Sequence, residues 1–230
     1  MICTNLEQIR SVIRETALQC GRDPQEIKLI AVSKRMPAEM VVEAHQCEQM
    51  QFGENYLQDA EAKISELPPS LCWHFIGHLQ SNKAKVAAEL FQMIETVERI
   101  KIARALDHHA GLLQKKLDIL IQVNVGREPQ KSGVLPENAS DLLRAMRPLK
   151  NLRIRGLMTM PPYGYEPEAS RPWFQALKKL SVELAGENCF YDNKTVELSM
   201  GMSGDFNIAI EEGATLVRVG TAIFGERPLQ

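Results

Sequence analysis

The chain has 230 residues with 27 basic and 29 acidic side chains, giving a net charge of −2, and 44% of its residues are hydrophobic. This is the composition of an ordinary globular protein, and the length suffices for one barrel-sized domain or two small ones. Because no excess or block of positive charge is present, the sequence argues against a nucleic-acid-binding protein whose affinity comes from neutralising phosphates.

Targeting and redox signals point to the cytoplasm. The first ten residues carry both acidic and basic side chains and lack the apolar segment of a secretory signal. No apolar run reaches the roughly 18 to 20 residues of a membrane-spanning helix. The five cysteines, Cys3, Cys20, Cys47, Cys72 and Cys189, are scattered singly, which is typical of reduced thiols in a reducing compartment. We therefore expect a cytoplasmic protein without a membrane partner.

The predicted elements begin with an amphipathic helix over residues 5–20, where apolar side chains recur at helical spacing before Gly21. Eight apolar runs typical of buried strands follow, at residues 28–33, 51–55, 72–78, 93–98, 117–125, 152–160, 195–201 and 215–220. Helical patterns separate these runs, at residues 37–47, 56–67, 82–91, 99–114, 136–149, 171–185 and 204–212.

This alternation of strands and helices predicts an α/β protein with a parallel sheet. The sheet is either doubly wound or closed into a barrel. Eight strands in about 230 residues favour a single (β/α)8 TIM barrel domain over residues 1–230, preceded by one extra helix. A doubly wound sheet is the alternative.

Lys34 directly follows the first predicted strand, and Pro37 opens the next helix at a position that proline tolerates. The carboxyl ends of barrel strands form the mouth where active sites are built. A lysine there is either an ordinary solvated side chain or an amine nucleophile that forms a Schiff base. The charge of Arg35 is adjacent in sequence, but the sequence does not show whether it faces Lys34.

Two successive loops after the seventh and eighth strands have the parts of an anion site: glycines, hydroxyls and free backbone N–H groups at helix starts. Barrels commonly bind phosphate at this position. An ordinary helix cap by the loop serine is the alternative for the first loop. We predict a phosphate site formed by Ser199, Met200, Ser203, Gly220 and Thr221.

Two charged residues accompany these loops. Arg218 lies inside the eighth strand, and a buried guanidinium without an acceptor is costly. Its acceptor is either a ligand or a strand carboxylate such as Glu95 or Glu197. Asp205 would oppose a bound phosphate unless its side chain points away.

Further polar residues lie at strand ends, namely Asn55 after the second strand, His78 after the third and Asn124 after the fifth. His74, inside the third strand, is interpreted as a packing residue. No metal-ligand spacing is present, and HExxH, GxSxG and Walker motifs are missing. Zinc proteases, serine hydrolases and P-loop proteins are therefore excluded.

Several segments, in this order and spacing, resemble one family. They are AVSK (31–34), FGENY (52–56), WHFIGHLQSNK (73–83), QVN (122–124), KSG (131–133), GLMTM (156–160), LSMGMSGDF (198–206) and VRVGTAIFG (217–225). Together they resemble the pyridoxal phosphate homeostasis protein family over about residues 28–227. The resemblance implies a fold-type III barrel, like the N-terminal domain of alanine racemase, that holds pyridoxal 5'-phosphate (PLP) as a Schiff base.

The resemblance also implies roles for single residues. Lys34 resembles the Schiff-base lysine, and Arg218 resembles the partner of the pyridine nitrogen. Asn55 and His78 are implied to line the cofactor. The phosphate is implied to lie on the loop from Ser199 through Met200 to Ser203, and on Gly220 and Thr221.

These roles favour a carrier over a catalyst. An always-protonated arginine at the pyridine nitrogen makes the ring a weaker electron sink than a carboxylate partner does, so transamination is disfavoured. A two-base racemase needs an acid and a base on opposite faces. In the resembling alanine racemases a tyrosine from a second domain supplies one of them, but this chain ends ten residues after the last predicted strand. Tyr163 and Tyr165, in the loop 161–170, are the alternative source.

We therefore expect a non-catalytic, monomeric carrier that buffers, protects or delivers PLP, with PLP-dependent apoenzymes as recipients. A small amino-acid racemase or aldolase of the same fold is the enzymatic alternative. A barrel that binds another phosphorylated metabolite without covalent attachment is the third.

Overall fold

A computed structural model describes residues 1–162 and 166–226 of the chain. Its centre is a closed barrel of eight parallel strands, in which each strand pairs with the next in sequence and the last pairs with the first. The strands are β1 (Lys28–Val32), β2 (Gln51–Glu54), β3 (Cys72–Phe75), β4 (Met93–Val97), β5 (Leu117–Gln122), β6 (Leu152–Met158), β7 (Glu197–Ser199) and β8 (Leu216–Val219). The predicted (β/α)8 barrel is confirmed, and pairing of β8 with β1 excludes an open doubly wound sheet.

Helices follow the strands on the outside of the barrel. They are α1 (Ile2–Gln19), which precedes β1, then α2 (Ala38–Gln46), α3 (Leu57–Ser65), α4 (Ala84–Leu90), α5 (Ile100–Leu112), α6 (Ala139–Met146), α7 (Arg171–Gly186), α8 (Phe206–Glu211) and α9 (Thr221–Phe224). The short α9 is not in the sequence prediction. Strand β7 ends earlier than predicted because Gly201 adopts a positive φ of 90°, which turns the chain out of the sheet.

The barrel interior holds one apolar cluster, to which five strands contribute Ile30, Met93, Leu120, Met158 and Leu216. A second, larger core lies between the strands and the surrounding helices. Within the described ranges, no helix is both long and apolar enough to cross a membrane.

Helix α1 packs on the outside of the barrel and contacts α2, α8 and α9. Its apolar face, with Ile2, Leu6, Ile9, Ile13 and Ala17, is buried. The prediction that all five cysteines are single thiols is wrong for two of them, because Cys3 and Cys47 form a disulfide between α1 and the end of α2. The two residues are 44 positions apart, so their contact depends on the docking of α1 and leaves no short-range pattern.

Candidate functional site

Lys34 lies in a turn immediately after β1, at the carboxyl end of the barrel, and is half-buried. The turn is closed by the N–H of Met36, which donates to the carbonyl of Ser33 at 3.0 Å. Arg35 has a positive φ of 61°, and its guanidinium lies 5.5 Å from the centroid of the Tyr56 ring. The sequence does not show which way the Arg35 charge faces. In the structure the Arg35 cation is held on the face of the Tyr56 ring.

Three of the predicted phosphate-site residues come together where the loops after β7 and β8 meet. The N–H of Gly220 and the hydroxyl of Thr221 both lie close to Ser203 Oγ, at 3.4 and 3.3 Å. These are long hydrogen bonds, so a stronger acceptor can replace the serine oxygen at little cost. A Cβ on Gly220 would lie 3.2 Å from the carbonyl oxygen of Val32, so glycine also permits the close approach of this loop to β1. We call Ser203, Gly220 and Thr221 the anion cradle.

Asp205 ends the loop after β7, directly before α8, and is buried. Its Oδ1 accepts a hydrogen bond from the N–H of Met202 at 2.7 Å. The carboxylate is therefore engaged by the backbone of its own loop. This engagement is the arrangement expected if Asp205 is not to oppose a phosphate bound beside it.

Ser199 and Met200 lie apart from the anion cradle, and their contact with a phosphate stays a prediction. Ser199 is fully buried at the end of β7, and its hydroxyl donates to Glu95 Oε2 and accepts from Arg218 Nη1. Met200 is also buried, and its N–H donates to the carbonyl of Leu216 at 3.1 Å. In this structure the Ser199 hydroxyl therefore orients Arg218, and the Met200 N–H is paired within the sheet.

Arg218 is 3% exposed and held from two sides. Nη1 donates to Ser199, and Nη2 donates to the carbonyl oxygen of Thr159 at 2.8 Å. Of the two strand carboxylates considered as its acceptor, Glu95 is the nearer partner, with Oε2 3.9 Å from Nη1, whereas Glu197 pairs instead with Lys28 at 2.7 Å. Among the described residues, none accepts a hydrogen bond from Nε. The guanidinium is fixed, and its Nε–H faces no protein acceptor in the described part of the chain.

The sequence analysis missed the group that supports Arg218. His74 Nδ1 lies 2.6 Å from Glu95 Oε1 in the barrel interior, and both side chains are buried. Burial opposes a charge on His74, but hydrogen bonds to Cys72 and Glu95 outweigh it and raise the pKa of His74 to about 9. Burial likewise opposes ionisation of Glu95, but His74 and Arg218 hold the pKa of Glu95 below its usual value.

His74, Glu95, Ser199 and Arg218 therefore form one continuous hydrogen-bonded chain from β3 to β8, which we call the interior relay. It places two cations on either side of one carboxylate. The packing interpretation of His74 is replaced by this ionic role. The signal in the sequence that could have revealed this group is the presence of a polar residue inside each of four predicted barrel strands.

Asn55 and His78 differ in their placement. Asn55 Oδ1 is buried and has no hydrogen-bond partner among the described residues. His78 is half-exposed, with Nδ1 3.1 Å from Ser132 Oγ and 3.9 Å from Glu98 Oε1. It borders a cavity of about 420 Å³ that the 129–133 loop also lines. Asn55 is thus a buried acceptor at the mouth, and His78 belongs to its rim.

The described residues hold no metal site and do not include two of the tyrosines. In the described part of the chain, no group of three or more His, Cys, Asp or Glu side chains is arranged to hold a metal ion. Tyr163 and Tyr165, considered as groups that close over the cofactor, lie outside the described residues.

Comparison with known proteins adds family evidence to this geometry. The sequence profile of the family described as "Alanine racemase, N-terminal domain" matches residues 4–228. A protein of Pseudomonas aeruginosa named pyridoxal phosphate homeostasis protein is 45% identical, and the alignment covers 98% of this chain and 96% of that protein.

Solved structures agree with the fold. PipY of Synechococcus elongatus, solved with PLP bound, superposes with a TM-score of 0.86 at 37% identity, covering 98% of this chain and 100% of that one. Alanine racemase of Corynebacterium glutamicum superposes with a TM-score of 0.70 at 18% identity, and only 62% of that chain is covered. The second similarity concerns the barrel fold alone.

Proposed function

Since this chain belongs to the pyridoxal phosphate homeostasis protein family, we propose that it binds PLP as a Schiff base on Lys34 and acts in the homeostasis of that cofactor. One observation carries the proposal. Lys34 and the anion cradle follow β1 and β8, which are paired neighbours in the barrel, and Arg218 lies on β8 opposite Ile30 of β1. An amine, a fixed cation and a set of anion donors therefore share one barrel mouth.

These groups fit the cofactor at each of its functional ends. The cradle offers the N–H of Gly220 and two hydroxyls to a phosphate, and Arg218 offers its Nε–H to a ring nitrogen. Lys34 provides the amine for a carbonyl. Asn55 Oδ1, a buried acceptor that no described residue pairs, is expected to face a ligand, because buried polar atoms in folded proteins are normally paired. When bound, the cofactor supplies an aldehyde and an electron-withdrawing ring.

We propose further that the protein is a non-catalytic carrier. The interior relay keeps Arg218 as a hydrogen-bond donor of fixed orientation, so Arg218 does not transfer a proton to a ring nitrogen. The P. aeruginosa protein that matches this chain over nearly its whole length carries the homeostasis name. The carrier is proposed to be a monomer with one domain over residues 1–230, and to exchange PLP with PLP-dependent apoenzymes in the cytoplasm.

Lys34→Ala tests the attachment. Wild-type protein incubated with PLP is expected to show the visible absorption band of a Schiff base, which borohydride abolishes. Lys34→Ala is expected to lack the band, because Lys34 is the proposed attachment amine and the buried Lys63 nearby is already engaged by the Ser33 carbonyl and Glu54. Lys85→Ala is the matched control, since Lys85 is exposed on α4 and should leave the band intact. An unchanged band in Lys34→Ala would refute the assignment.

The enzymatic alternative, a small amino-acid racemase or aldolase, shares the barrel with the alanine racemase structure. Exchange of the Cα hydrogen of amino acids with deuterated solvent separates the two functions. A carrier is expected to show no exchange above the rate of free PLP. Fast exchange in wild type that is lost in Lys34→Ala would establish the enzyme instead.

A further inference from the structure

The disulfide between Cys3 and Cys47 joins two outer helices, α1 and α2, and α2 follows the turn that carries Lys34. Cys3 lies in the first turn of α1, and Cys47 caps the carboxyl end of α2. Their Cα atoms are 5.5 Å apart, within the range that a disulfide spans without backbone movement. Both residues are partly exposed, so a thiol or disulfide from solution can reach them.

Helix α1 bridges the outside of the β8–β1 seam. On one side, Asn5 Nδ2 donates to the carbonyl of Ile223 in α9 at 2.9 Å. On the other side, Glu43 of α2 accepts from the N–H of Ile2 at 3.3 Å and lies 3.6 Å from the terminal amine of Met1. The first turn of α1 therefore contacts α2 and α9 together.

These two helices adjoin the two halves of the proposed cofactor site. Helix α2 begins four residues after Lys34, and α9 begins with Thr221 of the anion cradle. Movement of α2 relative to α9 would thus separate the amine from the anion donors. The disulfide is the covalent link that opposes this movement on the α2 side.

We propose that Cys3 and Cys47 form a redox-controlled clamp: the disulfide slows the release of bound PLP, and its reduction speeds release. This inference rests on the proposed function of Lys34 and the cradle. When the bond is reduced, the first turn of α1 is held to α2 by the Glu43 contacts and by Arg10, which donates to the carbonyl of Cys47 at 2.8 Å. These noncovalent contacts and the burial of Ile2 are broken at a lower free energy than a disulfide, so local opening of the first turn of α1 loosens the seam.

The chemistry is thiol–disulfide exchange with a small disulfide such as oxidised glutathione. One cysteine thiolate attacks the small disulfide, forms a mixed disulfide and releases one small thiol. The second cysteine thiolate then displaces the other small thiol and completes the Cys3–Cys47 bond. The protein loses two electrons and two protons, and the oxidant becomes two thiols. In a reducing compartment such a bond is transient, which suits a sensor.

The test compares cofactor release in the two redox states. Holoprotein is oxidised with glutathione disulfide or reduced with a phosphine, freed of reagent, and dialysed against PLP-free buffer while the visible band is followed. We expect the reduced protein to lose the band at least about fivefold faster, a coupling of ordinary size. Alkylation after denaturation counts three thiols in the oxidised protein, Cys20, Cys72 and Cys189, and five in the reduced protein.

Variants assign the effect to this bond. Cys3→Ser and Cys47→Ser are expected to release PLP at the rate of reduced wild type, both after oxidation and after reduction. Cys20→Ser, which removes an exposed thiol at the end of α1, is the matched control and should behave as wild type. Equal release rates in oxidised and reduced wild type, persistent redox dependence in Cys47→Ser, or five thiols after oxidation would each overturn the clamp.

A second measurement separates this inference from the proposed function. Because coupling is reciprocal for equilibria, PLP must raise the ratio of oxidised to reduced wild type in a glutathione buffer by the same factor by which oxidation raises PLP affinity. Absence of the Lys34 band in both redox states would refute the proposed function. A normal band with no redox effect on affinity would refute the clamp alone.

Discussion

Buried charges in the barrel interior are tolerated because each has a partner. Arg218 and His74 lie on either side of Glu95, and Ser199 joins the arginine to the carboxylate. Removing one member of a buried ionic group leaves an uncompensated charge, which costs about 3–5 kcal/mol. The relay and the Thr159 carbonyl thus hold the guanidinium in one orientation.

His74 makes the stability of the protein depend on pH. Its pKa is raised from 6.5 to about 9 in the folded protein. Because the folded pKa is the higher one, the stabilisation is fully present below pH 6.5 and is lost as pH rises through about 9. We expect the advantage of wild type over His74→Gln in free energy of unfolding to fall by about 3 kcal/mol across this window.

Urea unfolding at stepped pH measures this difference. The exposed His108 on α5 offers a matched control, since His108→Gln removes a histidine that has no buried partner. Parallel pH profiles for wild type and His74→Gln would contradict a protonated His74 in the folded protein.

At the scale of elements, the strand ends of the barrel approach each other so closely that some positions exclude a side chain. A Cβ on Gly77, just after β3, would lie 2.0 Å from the carbonyl oxygen of Asn55, just after β2. The backbone of either segment would have to move to admit it. The placement of Asn55 at the mouth therefore depends on a glycine in the neighbouring loop.

Gly77→Ala is expected to lower the free energy of unfolding by about 1–3 kcal/mol, the usual cost of overpacking, and to weaken PLP binding by displacing Asn55. Urea unfolding and titration with PLP measure the two effects. Gly186→Ala is the matched control, because the space around Gly186 in α7 is open. It should be neutral or stabilising by up to about 1 kcal/mol. An alanine at position 77 with wild-type stability would contradict the close approach.

At the scale of the whole molecule, α1 holds together the seam where the first and last strands meet. Its apolar face is buried, and Cys3 in its first turn is bonded to Cys47. Just after its end, Arg22 Nη1 donates to the carbonyl of Ile210 in α8 at 2.7 Å. The bond closes a long loop that contains β1 and α2. Such a bond stabilises a protein largely by restricting its unfolded chain.

Cys47→Ser is expected to lower the free energy of unfolding of the oxidised protein by about 2–4 kcal/mol. The same substitution should have little effect on the reduced protein, in which the bond is already broken. Urea unfolding with and without a phosphine reductant measures both. An equal loss in the two states would show that Cys47 acts through packing and not through its disulfide.

Local patterns in the sequence predict most of the architecture of this protein. The alternation of apolar strands and amphipathic helices indicates the barrel, and Lys34, Ser203, Gly220 and Thr221 follow strands whose carboxyl ends share one mouth. These inferences succeed because strand periodicity and loop chemistry act over a few residues.

Pairings between distant residues follow from closure of the barrel and docking of α1. Ser199 turns away from the cradle because the register of β7 directs it toward Glu95, 104 residues earlier. His74 becomes a cation because β3 and β4 are neighbours, and Cys3 meets Cys47 because α1 lies beside α2. Alternation along a strand tells which face a side chain occupies. Which partner it meets there is settled by the register of neighbouring strands, since contacts across a sheet join residues with no fixed spacing in the chain.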